Sequence, residues 1–321
     1  MYVNTAGSKG FKKIEILGLD KAYMWRADVV NSRDISLESM RISSLGPPNT
    51  IRECIPGTFN LYLDKNLLYS WDQYFDIIGQ LPYLRIIVLN GNKFRRLPPN
   101  YFEGKDLAKL THTSLSELVF IDMGLDWEQV QTLAPAIRYV EQLHLVRNNC
   151  SQICTRFQIP KEEFKLLKFV NLEGNGIESW DEVIEFRQLE NLKRLTLNKN
   201  SIKNVYYKPG FKQLYMLSME DNLIDSWKSI DELNEYVGVR SLRINGNPVL
   251  TPEVSGERAR ECAIARLENV TQFNGTRMSD TERKDFEIYY LNNTCRQFLK
   301  EQQEEYKFSG NDEPKLCEYM S

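Results

Sequence analysis

The chain has 321 residues, 42% hydrophobic and 26% charged, with a formal net charge of -3 and only two histidines. This balance argues against a general nucleic-acid binder, because neutralising phosphates takes an excess of Lys and Arg. No run approaches eighteen consecutive apolar residues, which excludes a membrane-spanning helix, and no apolar core follows a basic start between Met1 and Asp20, which argues against a secretory leader.

Self-similarity organises the chain. The spacing L-x-x-L-x-L-x-x-N-x-I is weakly present at Phe11, Ile14 and Ile16 and again at Leu37, Met40 and Ile42, which predicts two N-terminal strands. It is looser at Leu61, Leu63, Asn66 and Leu68, then complete at Leu84, Ile87, Leu89, Asn92 and Phe94. Two degenerate copies follow: Leu115, Leu118 and Phe120 with Met123 in the asparagine position, and Val140, Leu143, Leu145, Asn148 and Cys150. The clearest copies run through Asn175, Asn200, Asn222 and Asn247. The ninth position therefore falls at 66, 92, 123, 148, 175, 200, 222 and 247, at intervals of 22 to 31 residues. These are leucine-rich repeats, whose period is 20–29 residues, with an insertion around Pro98 to Thr111.

Trp71, Trp127, Trp180 and Trp227 each follow the ninth position by four or five residues, and Ser70, Ser179 or Ser226 precedes three of them. That regularity predicts a helical stretch opening at each tryptophan and a ring packed in the convex layer. After the last repeat come a helical run from Glu257 to Leu267, a short strand at Val270 to Phe273, and a second helix opened by Ser279 or Asp280. Such a unit would cap the solenoid. The expected organisation is an N-terminal segment with degenerate repeats (1–57), the repeats (58–250), a cap (251–298) and a polar tail (299–321). The expected fold class is α/β: a solenoid with a parallel concave sheet, helices and turns on the convex side, and a C-terminal helical cap.

Chemistry-bearing motifs are scarce. No nucleophile elbow, Walker loop, dinucleotide fingerprint or H-E-x-x-H is present, so a non-enzymatic role without a cofactor is expected. Cys150 and Cys154 form a C-x3-C pair with no partnering ligands, which reads as packed reduced thiols rather than a metal site. His112 reads as a solvated loop residue, and His144 as a contact residue on the sheet.

The template also names the concave face. Tyr62, Ile86, Val88, Val119, Ile121, Val146 and Phe169 should lie in water across neighbouring strands as an apolar stripe, joined by His144. The stripe reads as a partner surface, unless the N-terminal segment or the 98–111 insertion folds over it. Toward the C-terminal repeats the face turns charged, with Arg194 and Arg243 near Glu173 and Glu220.

The run N-L-Y-L-D-K-N-L-L-Y-S-W-D (60–72), the I-x-S-W turns (177–180 and 224–227), and the ending from Asn247-Pro248 to E-R-x-x-F-E-x-x-Y (282–290) resemble the leucine-rich-repeat region of the tubulin folding cofactor E family. The resemblance implies a cytoplasmic, cytoskeleton-associated chaperone, monomeric, that binds alpha-tubulin and works with the other tubulin folding cofactors in assembling or dismantling the heterodimer. It departs from the family pattern in that no CAP-Gly module precedes Phe11 and no ubiquitin-like domain follows the cap. The alternative is a regulatory scaffold of the phosphatase-1 regulatory-subunit type, whose repeats are shorter and more uniform.

Overall fold

The computed structural model describes residues 30–252, 256 and 258–308. Among them, eleven strands form one sheet in which each strand pairs with its neighbour in sequence. β1 (Asp34–Ser36), β2 (Asn60–Tyr62), β3 (Ile86–Val88), β4 (Glu117–Val119), β5 (Gln142–His144), β6 (Phe169–Asn171), β7 (Arg194–Thr196), β8 (Met216–Ser218), β9 (Ser241–Arg243) and β10 (Gln272–Phe273) run parallel. β11 (Thr276–Arg277) turns back antiparallel on β10. Each three-residue strand turns its central residue into the core: Leu61, Ile87, Leu118, Leu143, Val170, Leu195, Leu217 and Leu242 are all buried. The flanking residues face the concave side, as alternation requires. This is a leucine-rich-repeat solenoid.

The returning segments form the convex layer. They contain α1 (Thr50–Cys54), α2 (Trp71–Gln80), α3 (Leu107–Leu110), α4 (Trp127–Leu133) and α5 (Trp227–Asn234). Ser70 opens α2 with a capping box that it shares with Gln73. Trp71 then fills the layer and donates from Nε1 to the Arg95 carbonyl at 3.0 Å. Trp180 does the same to Tyr206 at 2.9 Å, and Trp127 packs edge-on against Phe186. Trp227 is the exception, half-buried under the Arg266 guanidinium.

The helical stretch expected after Trp180 takes the form of two 3-10 turns, Trp180–Glu182 and Ile184–Gln188. The reason is periodicity: Trp180, Val183, Phe186 and Leu189 are buried at every third residue. Their amides bond three residues back along the same series. Three residues per turn is 3-10 geometry.

The N-terminal repeat also differs from its expected register. β1 centres on Ile35, opposite Leu61, so Leu37 takes the sixth template position, Met40 the ninth and Ile42 the eleventh. Ile42 then offers its N–H to the Asn66 side chain at 2.9 Å, a bond the other register would forfeit, while Met40 is left exposed. The match at Phe11 to Ile16 lies outside the described residues. The 98–111 insertion packs on the convex side, where Tyr101 stacks on Phe75 and donates to the Asp72 carboxylate at 2.6 Å.

The cap contains α6 (Ala259–Arg266), the β10–β11 hairpin and α7 (Asp280–Phe308). Ser279 and Glu282 form a reciprocal cap at the start of α7. Arg283 then donates to the carbonyls of Ile264, Leu267 and Val270, tying α7 to the end of α6 and the segment that leaves it. α7 continues past residue 299, where a polar tail was expected to begin; residues 309–321 lie outside the described part.

The ninth-position asparagines are buried and stitch the repeats together. Asn200 accepts from the N–H groups of Asn175 and Ile177, both at 3.0 Å, and donates to the carbonyls of Leu172 and Leu197 at 3.0 and 2.9 Å. Equivalent bonds are made by Asn66, Asn92, Asn148, Asn175, Asn222 and Asn247. Asn200→Ala would leave three backbone groups without partners, the N–H groups of Asn175 and Ile177 and the carbonyl of Leu172, while Leu197 keeps its bond from Asn222. The expected loss is about 3 kcal/mol, since a buried unsatisfied group costs about 1–3 kcal/mol. Lys212→Ala, which removes only an exposed ion pair with Glu190, should stay within about 0.5 kcal/mol; urea unfolding of the two variants checks the contrast.

Candidate protein interface on the concave sheet

The parallel register sets two rows of concave side chains directly beside one another. One passes through Ile86, Glu117, Gln142, Phe169 and Arg194. The other passes through Tyr62, Val88, Val119 and His144. Ile121 and Val146 follow β4 and β5 and extend the apolar area. The structure therefore gathers nine of the ten residues expected at the site on β2 to β7. Arg243 stands apart on β9, 3.8 Å from Glu220.

The apolar stripe is less open than its pattern predicts. Val88 and Val146 are buried, at 8% and 6% exposure, and the remaining stripe residues are half-buried. Strands in a sheet lie about 4.8 Å apart, so branched side chains on adjacent strands cover one another.

At the centre is a polar and aromatic cluster. The Arg194 guanidinium lies 4.2 Å from the centre of the Phe169 ring and donates to Gln142 Oε1 at 3.0 Å. The His144 ring stands edge-on to Phe169 at 5.0 Å. Its Nε2 lies 3.4 Å from Glu117 Oε1 but makes no hydrogen bond, and is buried without a partner. Burial pushes the Glu117 carboxyl up, against the pull of Arg194. Burial holds His144 below the ordinary imidazole range, and Arg194 adds to the effect. A neutral imidazole, a half-desolvated carboxylate and a stacked cation suit non-covalent contact. Glu117 and Gln142 take their role from the row they share with Phe169 and Arg194.

His112, expected in solvent, is half-buried on the convex side, 2.9 Å from the Leu81 carbonyl, with its pKa lowered by burial. The carbonyl Leu81 presents at the end of α2 gives the ring a partner that a free loop would not. The C-x3-C pair lies in a turn gripped by Glu182, whose carboxylate accepts from the N–H groups of Ile153, Cys154 and Thr155 at 2.6, 2.9 and 3.2 Å. Cys150 is fully buried and Cys154 half-buried, with burial pushing the Cys154 thiol up to about 12. Among the described residues no three His, Cys, Asp or Glu side chains converge as metal ligands, and no helix is long and apolar enough to cross a membrane.

Comparison with known proteins places these features. The chain is 30% identical to tubulin-folding cofactor E of Arabidopsis thaliana over 91% of its own length and 55% of that protein's. The chain is a homologue of tubulin folding cofactor E. It is also 25% identical to tubulin-specific chaperone E of Xenopus laevis, covering 94% of this chain and 58% of that one, and 25% identical to the Homo sapiens chaperone over 62% and 36%. It thus spans about half the length, or less, of the curated relatives it matches. No family model matches. Similar solved structures include a Leptospira interrogans leucine-rich-repeat protein (20% identity, TM-score 0.48, 80% of this chain and 64% of that one) and internalin C2 of Listeria monocytogenes (18%, 0.46, 69% and 82%).

The central cluster of this cofactor E homologue makes stability depend on pH. Because the folded-state pKa of His144 is depressed, the unfolded chain takes up a proton first as pH falls through about 6.5, and stability declines in that window. His112 acts in the same direction, whereas the raised Glu117 opposes it at more acid pH. His144→Gln should therefore flatten the fall in Tm between about pH 7 and pH 5.5 without abolishing it, a slope that thermal melts across that range measure directly.

Proposed function

We propose that this repeat region is a non-catalytic tubulin-binding chaperone module that holds alpha-tubulin on the concave face of β2 to β7 during assembly or disassembly of the tubulin heterodimer. The observation that carries the reading is the likeness to a named tubulin-folding cofactor across 91% of the chain. The concave face supports it physically. Ile86, Val119 and Ile121 supply a half-buried apolar floor, and Phe169 with Arg194 supplies a rigid stacked cation beside it. Interfaces draw most of their energy from such aromatic and arginine anchors. Tyr62 stands at one end of this floor, and Arg243 with Glu220 forms a mixed-charge rim toward the other. In this reading the protein works as a monomer in the cytoplasm and at the cytoskeleton, alongside the other tubulin folding cofactors.

Purified chain should bind tubulin at micromolar concentration in a co-sedimentation or interferometry assay. Tyr62→Asp combined with Val119→Asp should weaken that binding at least tenfold while leaving the thermal midpoint near that of the parent chain. Absence of binding, or binding untouched by the double substitution in a folded protein, would rule out the concave face as the tubulin site. Recovery of a phosphatase and no tubulin in a pull-down would instead favour a regulatory scaffold.

A further inference from the structure

A second surface runs along the edge of the sheet where the strands begin. The residue just before each pair of concave positions donates its N–H to the carbonyl of its counterpart one repeat earlier. This chain of bonds passes from Arg33 through Phe59 to Arg85, and continues to Lys168, Lys193, Tyr215 and Arg240. The intervening members are Ser116 and Glu141. Five cations and one carboxylate give the row a formal charge of +4, in a chain whose total is -3.

The cations on this leading edge mostly lack a carboxylate partner, although the Arg240 guanidinium donates to the carbonyls of Val237 and Asn269, both at 2.9 Å. Lys168 meets Glu141 at 2.7 Å, but among the described residues no carboxylate lies within 4 Å of Arg33, Arg85, Lys193 or Arg240, all four exposed. The opposite edge, where the strands end, is different: Lys65, Arg147 and Lys199 each meet a carboxylate at 2.7 to 3.1 Å. Aromatic rings interleave with the free cations. Phe59 lies between the guanidiniums of Arg33 and Arg85, at 5.0 and 4.9 Å, and Tyr83, 59% exposed, borders it at 6.3 Å. A surface hollow of about 430 Å³ opens beside Phe59 and Tyr83, floored by Pro56 and Gly57. Stacking fixes a guanidinium while leaving its N–H rim available to a carboxylate.

We infer that this edge is a docking track for an extended acidic peptide segment of another protein, with an apolar residue of that segment seated in the hollow at Phe59. Charge complementarity selects the occupant. Eight steps of about 4.8 Å from Arg33 to Arg240 span about 40 Å, which matches about 12 residues of extended chain. Glu141 in the middle of the row and the negative total charge disfavour a polynucleotide, whose phosphates are uniformly charged. The track is separate from the concave floor and does not depend on the tubulin reading.

The test uses the full chain and a fluorescein-labelled peptide of about 14 residues, alternating Glu and Gly with one central Phe, followed by fluorescence anisotropy. Binding in the tens of micromolar is expected at 50 mM salt, weakening about tenfold at 300 mM. Arg85→Glu with Lys193→Glu should weaken it at least tenfold, and Arg85→Gln with Lys193→Gln serves if the first pair melts early. Lys65→Glu with Lys199→Glu, the same change of charge on the opposite edge, should alter it less than twofold. No binding at 50 mM salt, an equal loss with Lys65→Glu and Lys199→Glu together, or tighter binding of an oligothymidylate of the same length would overturn the proposal.

Discussion

The structure depends on how each repeat disposes of the backbone groups it exposes on leaving its strand. A three-residue strand is too short to be stable alone, and the turn that follows points several amides and carbonyls into the core, where water cannot reach them. One buried asparagine per turn resolves this by accepting from the preceding repeat and donating both to that repeat and to its own. The same side chain therefore ends the strand and fixes the spacing to its neighbour. Met123 shows what the position tolerates: it is buried without an amide, and Asn148 from the next repeat holds its N–H and that of Leu125. A gap is bridged because each repeat is held from both sides.

With the spacing fixed, the concave chemistry follows from register. Residues from 117 to 194 share a row only because four strands align without a slip, and a one-residue slip would send Phe169 and Arg194 into the core. The alignment brings an imidazole and a guanidinium against one aromatic ring and a carboxylate beside the imidazole, and their burial accounts for the opposite displacements of Glu117 and His144. An apolar floor that is already half-covered is also less prone to self-association than an open stripe would be.

The repeats, the inward residues of β2 to β9 and the membership of the concave face were legible in the sequence, because period and alternation are properties of the chain alone. The differences arise in two ways. Leu37, Met40 and Ile42 fit the template numerically, but strand pairing with Leu61 and the demand of Asn66 for an amide choose another register. The segment after Trp180 has helical composition, yet burial at every third residue winds it more tightly. His112 looked like a loop residue because its partner is the Leu81 carbonyl, 31 positions away. For the N-terminal register and for His112 the deciding interaction crosses between repeats, and a pattern read within one repeat cannot contain it.

The two edges of the sheet differ for a reason rooted in the backbone. On the trailing edge the eighth template position adopts a left-handed conformation in every repeat, from Lys65 and Gly91 through Arg147 and Gly174 to Asp221 and Gly246. Its N–H donates to the next repeat, as from Lys65 to Asn90 or from Lys199 to Glu220. A non-glycine residue there costs about 1–2 kcal/mol, and a bulky one leans over its neighbour, as Arg147 does over Gly174 at 3.1 Å from where a Cβ would stand. Three of the positions are glycine, and the cations at the others, Lys65, Arg147 and Lys199, are tied into local ion pairs. The leading edge has ordinary extended backbone and no such restriction, so its residue types can vary without strain. Basic and aromatic side chains collect on the edge where the backbone leaves composition free, which is where a surface can acquire a binding function without disturbing the repeat that carries it.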